Sequence, residues 1–369
     1  MKNASSPQLG SSTASQGTGE RVISLGLQGG AAYGAFTWGV LDRLLGDERI
    51  RFDAISGTSA GAINALVIAD GMAEGGGRAG AQRALNKFWR LLGDLSRFGP
   101  VQPSPLDYFL GRGTLEYSPG YHAMQMMSAV MAPLQGFSAS LEPMRLVLSS
   151  LIDFERVRRS DSLRLFIHAT NVRTGKGRLF TREEMDVQCL MAAICLPQSM
   201  GAVEIDGEAY WDGSYLGNPA LDRLAAPGRA RDLVIVQNNP VGRAAIPRSL
   251  ADINTRSNEI TFNISLMRQV AAILHANQVI DEIDGKAARP ANVRLHLISG
   301  IDALSTFSLS SKFNTGWPFL SHLHQLGAAA TEKWLAENFQ HIGVRSTLQP
   351  ETIYDAGERL SEAGLRSGV

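Results

Sequence analysis

The chain contains few cysteines, and their placement argues against both a disulfide and a zinc site. Only Cys189 and Cys195 occur, six positions apart in a predicted helix over 186–195. That separation places the two side chains on different helical faces, so we expect no disulfide between them. Neither has the Cys/His spacing of a zinc site, and burial as small hydrophobic side chains is the simpler interpretation.

The sequence also lacks an excess of charge and a long apolar run. Lys plus Arg total 35 and Asp plus Glu total 35, so no global field favours nucleic acid, and we expect no nucleic-acid partner. No run of about 18 apolar residues is present, so no membrane-spanning segment is expected. Residues 1–20 have no apolar core of a secretory signal, and we interpret them as a disordered tail. The expected location is the cytoplasm, with peripheral membrane contact left open.

The 369 residues, 44% of them hydrophobic, suffice for one large domain or two ordinary ones. Short β-prone runs alternate with segments of helical periodicity. This alternation predicts a three-layer α/β/α fold with a mainly parallel central sheet. The β-prone runs are 22–27, 52–55, 163–169, 233–236 and 293–298, and the apolar helical stripes, expected to lie in the core, are 36–45, 62–69, 260–274 and 320–335.

A segment over 98–136 interrupts this regularity. Five prolines divide it, and it carries Met124, Met126, Met127 and Met131. We predict a cap or an insertion here. Its methionines either fill gaps in the core or form a flexible apolar surface over a substrate pocket, and the sequence favours neither.

A serine between spaced glycines follows the second β-prone run, in the order Gly57-Thr58-Ser59-Ala60-Gly61. Small residues on both sides of Ser59 permit a sharp turn from strand to helix, which would expose the hydroxyl near backbone N–H groups. The pattern predicts a nucleophile elbow. An isolated match is weak, because a tight turn before a helix recruits glycine and serine for structural reasons as well.

A glycine-rich loop follows the first β-prone run. It contains Gly29, Gly30 and Ala31 within the stretch 28–34. Adjacent glycines let consecutive N–H groups point into one concavity, which suits a phosphate or the oxyanion of acyl transfer. The glycine spacing does not fit a dinucleotide-binding fingerprint, and no Gly-Lys-Ser/Thr follows.

An acid and several histidines complete the inventory of catalytic side chains. Asp212 precedes Gly213, a pair that is also common in turns, as the nearby Asp206-Gly207 shows. A conventional triad needs a histidine after the acid. The late histidines lie in predicted helices or strands, so each is interpreted as structural or exposed; they are His275, His296, His322, His324 and His341.

The glycine-rich loop, the elbow and the Asp212-Gly213-Ser214 segment, in this order, resemble the patatin-like phospholipases. Further similarity lies in 169–175, 258–263 and 317–320. The resemblance covers residues 21–345 as a catalytic domain and leaves tails at 1–20 and 346–369. Two positions depart from the family pattern: Ala31 replaces a usual glycine, and Tyr33 replaces a usual basic residue. Alanine keeps its N–H, whereas the lost charge is expected to weaken binding of an anionic head group.

The resemblance implies a serine–aspartate dyad without a metal or organic cofactor. Ser59 would be the nucleophile, Asp212 the base, and the N–H groups of Gly29, Gly30 and Ala31 the oxyanion hole, acting on a lipid or another acyl ester. The alternatives are a short-chain or polyester esterase of the same fold, a non-catalytic lipid-binding protein, and a histidine-dependent α/β-hydrolase. The oligomeric state is not predicted.

Overall fold

The computed structural model describes residues 20–110, 113–131, 142–226, 228–243, 246–248, 250–284 and 292–348. Within these ranges a single mixed sheet runs through the molecule, with strand order β5-β6-β3-β2-β1-β7-β8 and with β4 paired to β3. The strands are β1 Arg21–Leu27, β2 Ile50–Gly57, β3 Arg164–Asn171, β4 Gly177–Thr181, β5 Val203–Ile205, β6 Glu208–Asp212, β7 Asp232–Gln237 and β8 Arg294–Ser299.

The centre of the sheet is parallel and one end is antiparallel. Strands β3, β2, β1, β7 and β8 are neighbours in parallel register, whereas β4 and β6 pair with β3 in the opposite direction. The register places Leu27 beside Gly57 on one side and beside Val236 on the other. The loops after β1, β2 and β7 therefore leave the sheet at the same level and on the same edge.

Helices cover both faces of this sheet. Successive residues of a strand point to opposite faces, and the apolar side chains separate accordingly: Val234 and Val236 join the larger core cluster, while Leu233 and Ile235 join a smaller one. The helices of eight or more residues are α1 Gly34–Leu45, α2 Ala60–Gly71, α3 Gly77–Ser96, α5 Pro119–Met131, α6 Glu142–Leu151, α8 Val187–Ile194, α10 Leu250–Asp284 and α12 Trp317–Asn338. The shorter ones are α4 Pro105–Leu110, α7 Phe154–Arg159, α9 Pro197–Met200 and α11 Ile301–Leu304.

The predicted three-layer α/β/α architecture with a mainly parallel sheet is confirmed. Each β-prone run corresponds to a strand, and each helical stripe lies in α1, α2, α10 or α12. The stripe on α10 is only partly a core face, because Ile260 and Ile264 are 49% and 44% exposed while Leu266 and Val270 are buried. Strand β4 was missed; it carries a single fully buried apolar residue, Phe180.

The interrupted segment over 98–136 contains α4 and α5 in its described part. Met126 and Met127 are 69% and 58% exposed, which favours the apolar-surface interpretation over gap filling for these two. The segment is fastened to the rest of the domain by Thr114, whose hydroxyl lies 3.1 Å from Ser310 Oγ. It thus sits beside the 3-10 turn Leu309–Phe313.

The predicted tails lie largely outside the described residues. This holds for residues 1–19 and for those after Leu348, whereas residues 346–348 pack against β8, where Thr347 N donates to Leu295 O at 3.0 Å. Cys189 and Cys195 are buried and free. In the described part of the chain, no helix is both long enough and apolar enough to cross a membrane.

Close approach of α1 and α12 depends on two glycines, which gives a test of the packing. A β-carbon at Gly327 would lie 2.0 Å from the Phe36 carbonyl oxygen, and one at Gly39 would lie 1.9 Å from that of His324. We expect Gly327→Ala to lower the free energy of unfolding in urea by about 1–3 kcal/mol, because the helices must separate.

The matched control for this prediction is Gly46→Ala. Gly46 has helical φ and ψ, and its nearest atoms would lie 3.5 Å from a new β-carbon, so stability should stay the same or rise slightly. Equal stability of Gly327→Ala and wild type would contradict this account of the helix interface.

Candidate active site

The three segments singled out from the sequence meet at the carboxyl edge of the parallel strands. The glycine-rich loop follows β1, the elbow follows β2, and Asp212 ends the antiparallel strand β6, opposite Ala169 of β3. The Thr58 hydroxyl donates to the Gly217 carbonyl at 2.7 Å and so ties the elbow to the turn after Asp212. The structure therefore brings Ser59, Asp212 and the loop together.

Ser59 sits on a strained turn. Its φ of 54° and ψ of −126° lie in a region that residues with a side chain rarely adopt, and α2 begins immediately after it. The flanking glycines allow this turn to pack tightly: a β-carbon at Gly57 would lie 2.5 Å from the Gly61 carbonyl oxygen, and one at Gly61 would lie 2.3 Å from that of Leu27. This geometry is that of a nucleophile elbow with a partly exposed serine.

Asp212 is completely buried, and its two carboxylate oxygens have different surroundings. Oδ1 accepts hydrogen bonds from the backbone N–H of Ser214, at 2.8 Å, and from the Ser214 hydroxyl. Oδ2 has no hydrogen-bond partner within 3.5 Å among the described residues. Burial raises the pKa of Asp212, while the Ser214 groups and the nearby Ser59 hydroxyl lower it to a smaller extent. No cation forms an ion pair with this carboxylate in the described part of the chain.

The C-terminal end of α8 accepts hydrogen bonds from the backbone N–H groups of both Ser59 and Asp212. Ser59 N donates to the Ala193 carbonyl at 3.3 Å, and Asp212 N donates to the Cys195 carbonyl at 2.8 Å. These two carbonyls belong to the last turn of α8 and the residue that follows it, where carbonyl groups have no partner within the helix. One helix end thus sets the separation of two residues that are 153 positions apart in the sequence.

The glycine-rich loop contacts the serine directly. A β-carbon at Gly29 would lie 2.7 Å from Ser59 Cβ. The Gly29 N–H is already engaged, since it donates to Asn218 Oδ1 at 2.7 Å. By contrast, the N–H groups of Gly30 and Ala31 donate to no acceptor within the described ranges. Ala31 has φ 51°, is exposed and begins a 3-10 turn, so this part of the loop is also strained.

A layer of buried amides supports the loop, and its residues are not among those selected from the sequence. Gln28 Oε1 accepts hydrogen bonds from the backbone N–H groups of Asn238 and Asn239 at 3.0 and 2.9 Å. The Asn238 and Asn239 side chains donate to the carbonyls of Gln28 and Gly29, at 3.2 and 2.6 Å. The sequence does contain a signal for this layer: Asn238 and Asn239 are polar and directly follow the buried parallel strand β7, at the edge where such sheets bind ligands.

The histidines do not complete a triad with Ser59. His296 of β8 donates from Nε2 to Asp232 Oδ1 at 3.0 Å, and Nε2 of His324 in α12 lies 3.2 Å from Asp42 Oδ2. His275, His322 and His341 lie in α10, in α12 and in the 3-10 turn Phe339–His341, as the sequence predicted. His168, earlier in the chain, is buried behind the Asp212 turn: a β-carbon at Gly213 would lie 2.1 Å from its carbonyl oxygen.

The family model described as Patatin-like phospholipase matches residues 25–225. Among solved structures, VipD from Legionella pneumophila is 14% identical with a TM-score of 0.40, covering 93% of this chain and 74% of that one. A chain in the structure of the ExoU–SpcU complex from Pseudomonas aeruginosa is 13% identical with a TM-score of 0.33, and the match covers 94% of this chain and 59% of that one. A comparison with curated protein sequences finds no match.

The buried carboxylate predicts that Asp212→Asn stabilises the protein at neutral pH. Folding raises the pKa of the Asp212 carboxyl above its value in the unfolded chain. Between these two pKa values the unfolded chain is ionised while the folded protein favours the protonated form, so the free energy of unfolding falls as pH rises through this range. Asparagine keeps an acceptor for Ser214 and carries no charge. We expect a gain of about 1 kcal/mol in chemical denaturation at pH 7.

The gain should shrink as pH falls and Asp212 takes up a proton. Asp206→Asn is the control, because this exposed aspartate also precedes a glycine and its charge is solvated. A less stable Asp212→Asn protein at pH 7 would contradict the assignment of an unpaired buried charge.

Proposed function

The chain belongs to the patatin-like phospholipase family, and on that premise we propose that it is a lipid acyl hydrolase that works through a serine–aspartate dyad. The observation that carries the proposal is a fully buried carboxylate, Asp212, whose pKa is lowered by the nearby Ser59 hydroxyl and whose Oδ2 has no hydrogen-bond partner within 3.5 Å in the described part of the chain. Such a carboxylate gains most from accepting a proton, because burial without a cation penalises its charge.

In this mechanism the Ser59 proton passes to Asp212 as Oγ attacks the ester carbonyl. The carbonyl π electrons move to oxygen, and the proton on Asp212 then passes to the departing alkoxide as the ester C–O bond breaks. An acyl-enzyme remains on Ser59. Water attacks it, again losing its proton to Asp212, and the fatty acid leaves as Ser59 recovers its hydrogen.

The negative charge that develops on the carbonyl oxygen needs donors close to Ser59. We assign this role to the N–H groups of Gly30 and Ala31, which have no other acceptor in the described part of the chain. The N–H of Gly29 has a different role: it donates to Asn218 Oδ1, and this hydrogen bond holds the loop against Ser59. Removal of one such donor typically lowers kcat by about 10²–10³-fold, so the loop has to provide much of the rate.

Ser59→Ala and Asp212→Asn should each lower ester hydrolysis by at least about a thousandfold, since one removes the nucleophile and the other its base. The measurement is mass spectrometry of the products formed from a mixed lipid extract, together with initial rates on a soluble ester. Asp206→Asn, at an exposed Asp-Gly turn, should leave the rate unchanged. Full activity of either dyad variant would remove the dyad from the mechanism.

Contact with a lipid surface is the second part of the proposal, and the exposed side chains of the segment over 98–136 support it. Phe98 and Phe109 are 91% and 86% exposed, and Met126 is 69% exposed. Isolated exposed apolar residues are ordinary, but several large ones on a segment fastened near the active-site loop are typical of an interaction surface.

The double variant Phe98→Ser/Phe109→Ser should hydrolyse phospholipid vesicles several-fold more slowly while retaining its rate on a soluble short-chain ester, because only the first substrate requires apolar contact with a membrane. Val344→Ser is the control, as Val344 is 66% exposed outside this segment. Equal loss on both substrates would contradict lipid contact, and a wild type active only on soluble esters would favour the esterase alternative.

A further inference from the structure

Lys312 is a buried cation that the dyad mechanism does not use. It lies in the 3-10 turn Leu309–Phe313 and is 8% exposed. Its Nζ lies 5.5 Å from the centre of the Tyr33 ring, in the glycine-rich loop, and 5.8 Å from that of Phe262 on α10. A lysine is seldom buried to this extent without a carboxylate partner, so its position calls for a physical reason.

A chain of hydrogen bonds connects Lys312 to the loop. Nζ donates to Asn239 Oδ1 at 2.7 Å, and Asn239 Nδ2 donates to the Gly29 carbonyl at 2.6 Å. That carbonyl belongs to the same peptide group as the Gly30 N–H. Donation to a peptide oxygen polarises the whole group and makes its N–H a stronger donor, an effect that grows along a connected chain at low dielectric.

The positive charge of Lys312 is not cancelled by a direct ion pair in the described residues. Glu259 of α10, whose charge raises the pKa of Lys312, already pairs with Arg243 at 2.6 Å and with Arg256 at 3.4 Å. Tyr33 stays neutral, because burial raises its pKa to about 12 while its hydroxyl lies 2.8 Å from Ser311 Oγ. The groups facing Lys312 thus leave a net positive charge next to the loop.

We propose that Lys312 is a positioning residue of the oxyanion hole, which acts through Asn239 and the Gly29 carbonyl to strengthen the Gly30 N–H as a donor. The loop over 28–34 contains no charged side chain of its own, and Lys312 supplies a positive charge to it from a distant segment. The inference rests on the proposed hydrolase function and deepens it by naming the group that tunes the oxyanion hole.

The pKa of Lys312 makes the relay sensitive to pH. Burial lowers this pKa to about 8, with Glu259 raising it and Arg243 lowering it to smaller extents. The ammonium is therefore present at neutral pH and loses its proton as pH rises through about 8. The hydrolysis rate should fall on this alkaline side, whereas deprotonation of Asp212 controls the acid side.

One test needs no substrate. Glycine is labelled with ¹³C at the carbonyl and with ¹⁵N, so a carbonyl–nitrogen correlation spectrum shows only peptide groups between two glycines. In this sequence the nitrogens of those peptide groups belong to Gly30, Gly76 and Gly77. We expect the Gly29–Gly30 signal of the wild-type protein to titrate with a midpoint near pH 8 and to lose that titration in Lys312→Met. The other two signals, from residues in or beside α3, should not titrate in this range. A Gly29–Gly30 signal that titrates identically in both proteins would overturn the coupling.

The second test is kinetic. Lys312→Met should lower kcat on a soluble ester by roughly tenfold with little change in KM and should remove the alkaline limb, because the donor is weakened but not deleted. Lys312→Arg should recover kcat and stay active above pH 9, since arginine does not titrate there. Lys333→Met, at an exposed lysine of α12, is the control and should behave as wild type.

The outcomes separate this inference from the proposed function. If wild type hydrolyses esters, Ser59→Ala does not, and Lys312→Met keeps both the wild-type kcat and the alkaline limb, the hydrolase stands and the role of Lys312 is refuted. If wild type has no Ser59-dependent hydrolysis, the proposed function fails, and with it the oxyanion role. Thermal unfolding of each variant identifies loss of fold. If Lys312→Met folds only partly, the role of Lys312 is decided by the pH titration of the wild-type Gly29–Gly30 signal and by the pH–rate profile of Lys312→Arg.

Discussion

Two carbonyl groups at the end of α8 set the geometry on which the candidate site depends. Ala193 accepts the N–H of Ser59, and Cys195 accepts that of Asp212. Carbonyl groups at a helix end have no partner within the helix. Here their partners are the N–H groups of the elbow and of Asp212, the two segments that meet at the candidate site. The strained φ of Ser59 is maintained because the turn is held at its N–H and packed by glycines against β1.

The site also contains several features that are unfavourable to the free energy of folding, and the surrounding structure has to offset them. A carboxylate lies fully buried without an ion pair in the described structure, and Ser59 and Ala31 occupy strained backbone regions. Such features persist only where the neighbouring structure over-determines them. Parallel strands β1, β2 and β7 provide that support, because their loops leave at one level. The amides of Gln28, Asn238 and Asn239 join the loops after β1 and β7, and Thr58 N, after β2, donates to the Leu27 carbonyl at 3.3 Å.

The fold and the three segments that meet at the candidate site could be predicted from the sequence, because periodicity and small-residue motifs are local signals. The sequence does contain a signal for Asn238 and Asn239, two polar residues directly after a buried parallel strand, but it does not reveal their contacts with the loop. Asn239 and Lys312 come from distant parts of the chain, and their role depends on hydrogen bonds that only the folded sheet creates. The engagement of the Gly29 N–H by Asn218 was equally invisible, as it depends on the path of the turn after Asp212. Strand β4 was missed because its short, half-polar sequence carries little periodicity.

The Ser59–Asp212 dyad is tested most directly by the rate at which a fluorophosphonate modifies Ser59 as a function of pH. A Ser59–Asp212 dyad predicts modification at Ser59 alone, with a rate that rises as Asp212 loses its proton, at a pH above the usual aspartate range. It also predicts that the rate collapses in Asp212→Asn and persists when each late histidine is replaced. Rapid modification of Asp212→Asn, or its loss on replacing one histidine, would contradict the dyad.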